Sequence, residues 1–191
     1  MQASGNRAPT SEGAPPELVR AAFRDLHGTR LHGFALLVIL GDRARAARLT
    51  ADALTAGMAR VAQLRHPERA AAWLRQRVLR AAQRSGEAAR RHAGPEDRYA
   101  LAELGVDGAM FGGLSGLTTR ERAALVADSV ERLDRGDVAT IVGFNGARLD
   151  RLIRHVRARY AAAVATSLED EPAVDGPTAT RIRAVASRAL T

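Results

Sequence analysis

The sequence predicts an all-α protein of two small helical domains joined by a flexible linker, and three observations predict it. Apolar residues recur at helical spacing, not in alternation, through two long stretches of the chain. Capping and stop residues punctuate those stretches at short intervals, as in bundles of antiparallel helices. Between them lies an interruption rich in glycine and acid. A length of 191 residues accommodates one average domain or two small ones.

Residues 1–16 hold Gly5, Pro9, Gly13, Pro15 and Pro16 without periodicity and are expected to be disordered. From Glu17 the positions Leu18, Val19, Ala22, Phe23 and Leu26 follow a helix, and His27-Gly28 is expected to stop it. A second apolar helix, Leu31 to Leu40, closes at Gly41, and Asp42 caps a third whose stripe is Ala46, Leu49, Ala53 or Leu54, Met58 and Val61. Pro67 opens a fourth through Trp73, Leu74, Val78 and Ala82, because a first helical turn has no amide bond for proline to break. These four helices delimit a first domain, residues 17–92.

Residues 93–116 contain Pro95, five glycines from Gly105 to Gly116, and the acids Glu96, Asp97, Glu103 and Asp107, a composition expected of a linker. Thr118 and Glu121 form a capping-box pattern that starts a helix through Leu125, Val130 and Leu133. A short helix, about Asp134 to Val142, is stopped by Gly143, and Asn145 is placed to cap a longer one reaching Tyr160 or beyond. Residues 117–163 are the second domain. Residues 164–191, with Glu169-Asp170-Glu171, Pro172 and Pro177, are expected to be a loose tail.

All 29 basic residues are arginine, set against 21 acids, for a formal charge of +8 and a pI near 11.3. That balance favours a polyanionic partner, although arginine and alanine enrichment without lysine also reflects a GC-rich coding bias, so placement has to carry the inference. Placement is informative: residues 17–92 hold 15 Arg against 6 acids, residues 117–163 hold 9 against 6, and the interruption holds 1 against 4. Cysteine is absent, which removes disulfides, thiolate zinc sites and a cysteine nucleophile and fits a cytoplasmic protein. The longest apolar run, Phe34 to Leu40, is far short of the ~20 residues that span a bilayer.

On a helix from Asn145 to Tyr160, Leu149, Leu152, Ile153, Val156 and Tyr160 share one face. The adjacent face carries Arg148, Arg151, His155 and Arg159 at i, i+3, i+7 and i+11. A short helix, a glycine and a longer basic helix have the anatomy of a helix-turn-helix, whose second helix enters the DNA major groove. Arginines near its start would reach base edges, and those further along would contact phosphate. The plain alternative is a solvated basic face.

These residues also carry a resemblance. Leu117 to Tyr160, with its L-x-x-R-E-R-A start and with Asp137-Val138-Ala139 before Gly143, resembles the C-terminal helix-turn-helix domain of extracytoplasmic-function sigma factors of bacterial RNA polymerase. Leu31 to Arg84, through LHGFALLVILGD and HPERAAAWLRQRV, resembles their N-terminal helical domain. The resemblance implies a monomeric transcription initiation protein without cofactor, whose partners are promoter DNA and core RNA polymerase, with an anti-sigma factor as a further candidate. It implies duplex binding by Asn145, Arg148, Arg151, His155 and Arg159, and capture of the melted strand around Trp73 by Arg69, Arg77, Arg80 and Arg84, with Arg75 adding charge. Trp73 is either a stacking platform or, on its spacing with Leu74 and Val78, a core residue. Polymerase binding falls on Ala47, Arg48, Leu49 and Asp52, where the family has acidic residues before the leucine and only Leu49 and Asp52 survive in kind. Two other functions fit: a sigma-derived DNA-binding regulator that no longer binds polymerase, or a helical module that sequesters an anti-sigma partner. The five histidines lack metal-ligand spacing, the glycines form no phosphate loop, and no nucleophile elbow or carboxylate pair is present, so neither a metal site nor an enzyme is expected.

Overall fold

A computed structural model of the chain describes residues 16–60, 63–64, 66–84 and 94–167, and among these every regular element is helical. Residues 1–15 of the segment 1–16 expected to be disordered, the end of the first domain near His92, Val61 and residues 168–191 of the expected tail lie outside the described residues, while Pro16 opens the first helix and residues 164–167, expected in the loose tail, continue the last one.

Helix α1 (Pro16–Val38) runs unbroken through His27-Gly28, where the sequence predicts a stop. Phe23, His27, Leu31, Phe34, Ala35 and Val38 stay on one buried face across the glycine. Each large apolar side chain buried on that face contributes ~1.5–3 kcal/mol, which outweighs the ~1 kcal/mol helix cost of glycine. The helix ends where Leu40 and Gly41 adopt positive φ and the Gly41 amide donates to the Leu36 carbonyl. Helix α2 (Arg43–Met58) then starts as expected, the Asp42 carboxylate accepting from the Arg45 amide at 2.8 Å. Helix α3 (Pro67–Arg84) begins at the expected proline and packs with α2 and α1.

Where the composition predicts a linker, the chain forms α4 (Pro95–Ala102) and α5 (Gly108–Ser115). Leu101, Val106, Met110 and Leu114 are buried there, and two of the acids that point to solvation serve as caps: Asp97 accepts from the Gly94 amide and Asp107 from the Met110 amide. Gly113 is a packing residue. A β-carbon there would stand 2.7 Å from the Tyr160 ring, so only glycine lets α5 lie this close to the last helix.

Helix α6 (Thr119–Leu125) opens with the expected capping box. It passes into a π-helical turn, Val126–Val130, and the chain leaves through Arg132 at positive φ, so the helix stops before Leu133. Residues 121–127 are all buried, a pattern that belongs to a central helix. Helix α6 touches α1, α3, α7 (Arg135–Val142) and α8 (Gly146–Ser167). The apolar core therefore runs continuously from Phe23 in α1 to Val164 in α8, across the expected domain boundary.

Candidate nucleic-acid interface

Asp134 caps α7 by accepting from the Asp137 amide at 2.8 Å. The helix ends at Gly143, whose φ of 76° is the left-handed conformation that glycine adopts without penalty. The three residues Gly143, Phe144 and Asn145 turn the chain into α8, which continues past Tyr160 to Ser167. Val138, Ile141 and Val142 of α7 and Leu149, Ile153, Val156 and Tyr160 of α8 are buried. Phe144, half-buried, lies under the Arg120 guanidinium at 5.1 Å. This is the order and turn length of a helix-turn-helix.

The expected basic stripe on α8 divides in two. Asn145, Arg148 and Arg151 are exposed, and neither arginine pairs with another described residue. Arg154, which the stripe at i, i+3 and i+7 omits, is exposed beside them and equally unpaired among the described residues; counting i+3 once more from Arg151 finds it. The far half is fastened to α6. Arg159 pairs with Glu121 at 3.0 and 3.1 Å and donates to the Gly116 carbonyl at 2.5 Å. His155, still well exposed, sits 3.7 Å from the same carboxylate. Burial raises the Glu121 pKa, but the Thr118 amide and hydroxyl and the Arg159 charge outweigh it, and the net shift is below the ordinary carboxylate value. Arg159 is thus a structural clamp, and the accessible cationic face is the first half of the helix.

Arg157 and Arg135 are also committed. Asp128, in the π-helical turn, accepts from Arg157 at 2.6 Å and faces Arg135 at 3.7 Å, while Arg135 also pairs with Asp150. Nothing in the one-dimensional pattern marks Asp128 as the residue that holds both.

On α3 the expected residues share one outer face. Arg69, Arg77, Arg80 and Arg84 are exposed, and Trp73 between them is half-buried, with its ring against the core. The guanidiniums of Arg77 and Arg60 stand 5.2 and 5.7 Å from the Trp73 ring centroid, so cations already hold its exposed π surface. Arg75 does not join them. It is buried, forks onto the Glu131 carboxylate through two bonds of 2.6 Å, donates to the Ala71 carbonyl and lies over the Phe34 ring.

Of the residues assigned to polymerase, Ala47, Arg48 and Asp52 lie on the outer face of α2, but Leu49 is a core residue and offers no surface. Among the described residues no three His, Asp or Glu side chains are grouped to hold a metal, and no helix is long and apolar enough to cross a membrane.

Comparison with models of known protein families, with curated proteins and with solved structures finds no match for this chain.

Proposed function

We propose that the chain is a sigma factor-like transcription protein that binds promoter duplex through α7 and α8 and recruits core RNA polymerase. The observation that carries the DNA half of this reading is the exposed cluster Arg148, Arg151 and Arg154 on the first turns of α8, unpaired among the described residues and close behind a three-residue turn. Arginine there is suited to guanine edges and phosphate, and the N-terminal part of a second helix is the part that contacts base edges in a major groove. Arg148→Ala with Arg151→Ala is expected to lower affinity for a duplex selected from a randomised pool by ~10-fold or more. Unchanged affinity would remove α8 from the interface.

A second reading, a sigma-derived regulator without polymerase binding, is favoured by two particular features. Arg48 puts positive charge on the α2 surface where the family has acid, and the α6 core packs on α1 and α3, where independently placed domains would be needed to meet two separated promoter elements. Capture of core polymerase on the immobilised protein, followed by promoter-dependent transcription, separates the two. Stoichiometric capture with initiation supports the sigma factor; duplex binding without capture supports the regulator.

A further inference from the structure

The two cationic faces of the molecule, on α3 and on α8, belong to one packed body. Their joint is the π-helical turn Val126–Val130 and the residue that follows it. A π turn spaces side chains differently from an α-helix, and here Asp128 and Glu131 reach different neighbours. Glu131 takes the fork of Arg75 from α3, with the arginine side chain 5% exposed and the carboxylate 18%. Asp128, 9% exposed, takes Arg157 from α8 and Arg135 from α7. The Arg75–Glu131 pair is largely buried and holds one geometry because breaking it strands a charge away from water, whereas Asp128 is buried but its partners Arg157 and Arg135 are about half exposed.

Helix α7 packs against α3 and is tied to α8 by the Arg135–Asp150 pair. The Gln76 amide, on the same outer side of α3 as Arg69 and Arg80, donates to the Thr140 carbonyl of α7 at 2.5 Å. Three residues after Val142 the chain enters α8 and its exposed arginines. The α3 face and the helix-turn-helix are therefore in direct contact.

We infer that both faces engage a single duplex at once, α8 in the groove and Arg80 and Arg84 of α3 on the phosphate backbone beside it. This rests on the proposal that α8 binds duplex, and it assigns the α3 arginines to the same molecule of DNA, not to a separately captured single strand. A shared frame adds phosphate contacts without the effective-concentration loss of a flexible tether, so the two faces contribute to one salt dependence.

The test is affinity across a salt series on a selected duplex of roughly two helical turns, for the full chain, for Arg80→Ala with Arg84→Ala, and for Arg148→Ala with Arg151→Ala. All four side chains are exposed, so the variants keep the fold, which far-UV circular dichroism checks. The α3 double variant is expected to reduce the slope of log affinity against log salt by ~1–2, because each phosphate the protein neutralises adds ~0.9 to that slope. The effect should disappear when the duplex is trimmed to the segment that still responds to Arg148 and Arg151. An α3 variant that binds the long duplex with the parent slope overturns the inference while leaving the α8 reading intact, as does an α3 effect confined to a single-stranded probe. Absence of salt-dependent duplex binding by the parent chain overturns both.

Discussion

Helices α6 and α8 both follow a short turn and both carry arginine, yet Arg122 of α6 and the first arginines of α8 do opposite things. Arg122 in α6 is 8% exposed. Its Nε donates to the Val38 carbonyl at 2.6 Å and its Nη1 to the Leu117 and Leu114 carbonyls at 2.6 and 3.3 Å, so one guanidinium satisfies the ends of α1 and α5 together. Arg148 and Arg151 in α8 reach solvent and pair with no described residue. In a chain whose every basic residue is arginine, abundance says little about partners, and which carbonyls or carboxylates are in reach says most. Arg75, Arg122, Arg157 and Arg159 are committed to the fold; Arg69, Arg80, Arg84, Arg148, Arg151 and Arg154 are exposed and pair with no described residue.

The contrast is broken most directly at Arg122. Burial, with the nearby Arg45 charge adding to it against the opposing pull of Glu121, brings its pKa down to about 10, which leaves it protonated at neutral pH. Arg122→Ala removes the donors from three carbonyls and opens a cavity, with an expected loss of ~3–5 kcal/mol in denaturant unfolding. A loss within ~0.5 kcal/mol, the usual range for a surface substitution, would show that Arg122 is no more structural than Arg148.

Next in size is the contact that fixes the far half of α8. Gly113→Ala puts a methyl against the fully buried Tyr160 ring and 3.0 Å from Val164, where neither neighbour can retreat from the core. An overpacking loss of ~1–3 kcal/mol is expected, with a lowered melting temperature. An unchanged midpoint would mean that α5 is free to move off α8 and that residues 93–116 behave as the linker their composition suggests.

That composition explains which parts of the fold are legible in one dimension. Helices α2, α3, α6 and α7 are legible because their caps are local: Asp42, Pro67, the Thr118–Glu121 box, Asp134 and Gly143 act within a turn of where they stand. The interruption at Gly28 and the glycines before Leu117 mislead for different reasons, apolar burial that carries the helix through Gly28 and close helix packing at Gly113. A glycine that weakens a helix locally and a glycine that admits a neighbouring helix read identically in the sequence; a β-carbon at Gly28 would stand an ordinary 3.9 Å from Leu54, whereas one at Gly113 would stand 2.7 Å from Tyr160. The candidate site is half legible. Helical spacing puts Arg148, Arg151, His155 and Arg159 along one helix, but it does not show that His155 and Arg159 meet Glu121 on another element, 38 residues from Arg159. Arg75 leaves the α3 group in the same way, drawn to Glu131 at a separation of 56.

A smaller effect concerns the first half of the core. His27 is 8% exposed, set edge-on to Phe23 at 4.7 Å between ring centroids, and burial, followed by the Arg75 charge, lowers its pKa below the ordinary 6.5. As the pH falls through 6.5 the unfolded chain therefore takes up a proton that the folded chain refuses, so stability falls below that value and is fully present above it. Unfolding midpoints at pH 7.5 and pH 5.5 should show this decline, and His27→Gln should flatten it. An equal slope in the variant would place the pH response elsewhere, since Glu121, whose pKa is lowered from 4.5, weakens the fold only at more acidic pH.

The smallest expected effect on the fold is the one that sharpens the comparison most. Arg148→Ala with Arg151→Ala touches no described hydrogen bond, ion pair or core contact, so unfolding free energy should shift by no more than ~0.5 kcal/mol for each substitution. Alanine is also the better helix former by a few tenths of a kcal/mol, and relieving repulsion between neighbouring cations acts in the same direction, so a slight gain is the expected sign. Exposed arginines without a described partner, at the start of a helix after a tight turn, are not explained by any contact within the fold. A measurable loss of stability would assign those arginines to folding, alongside Arg122.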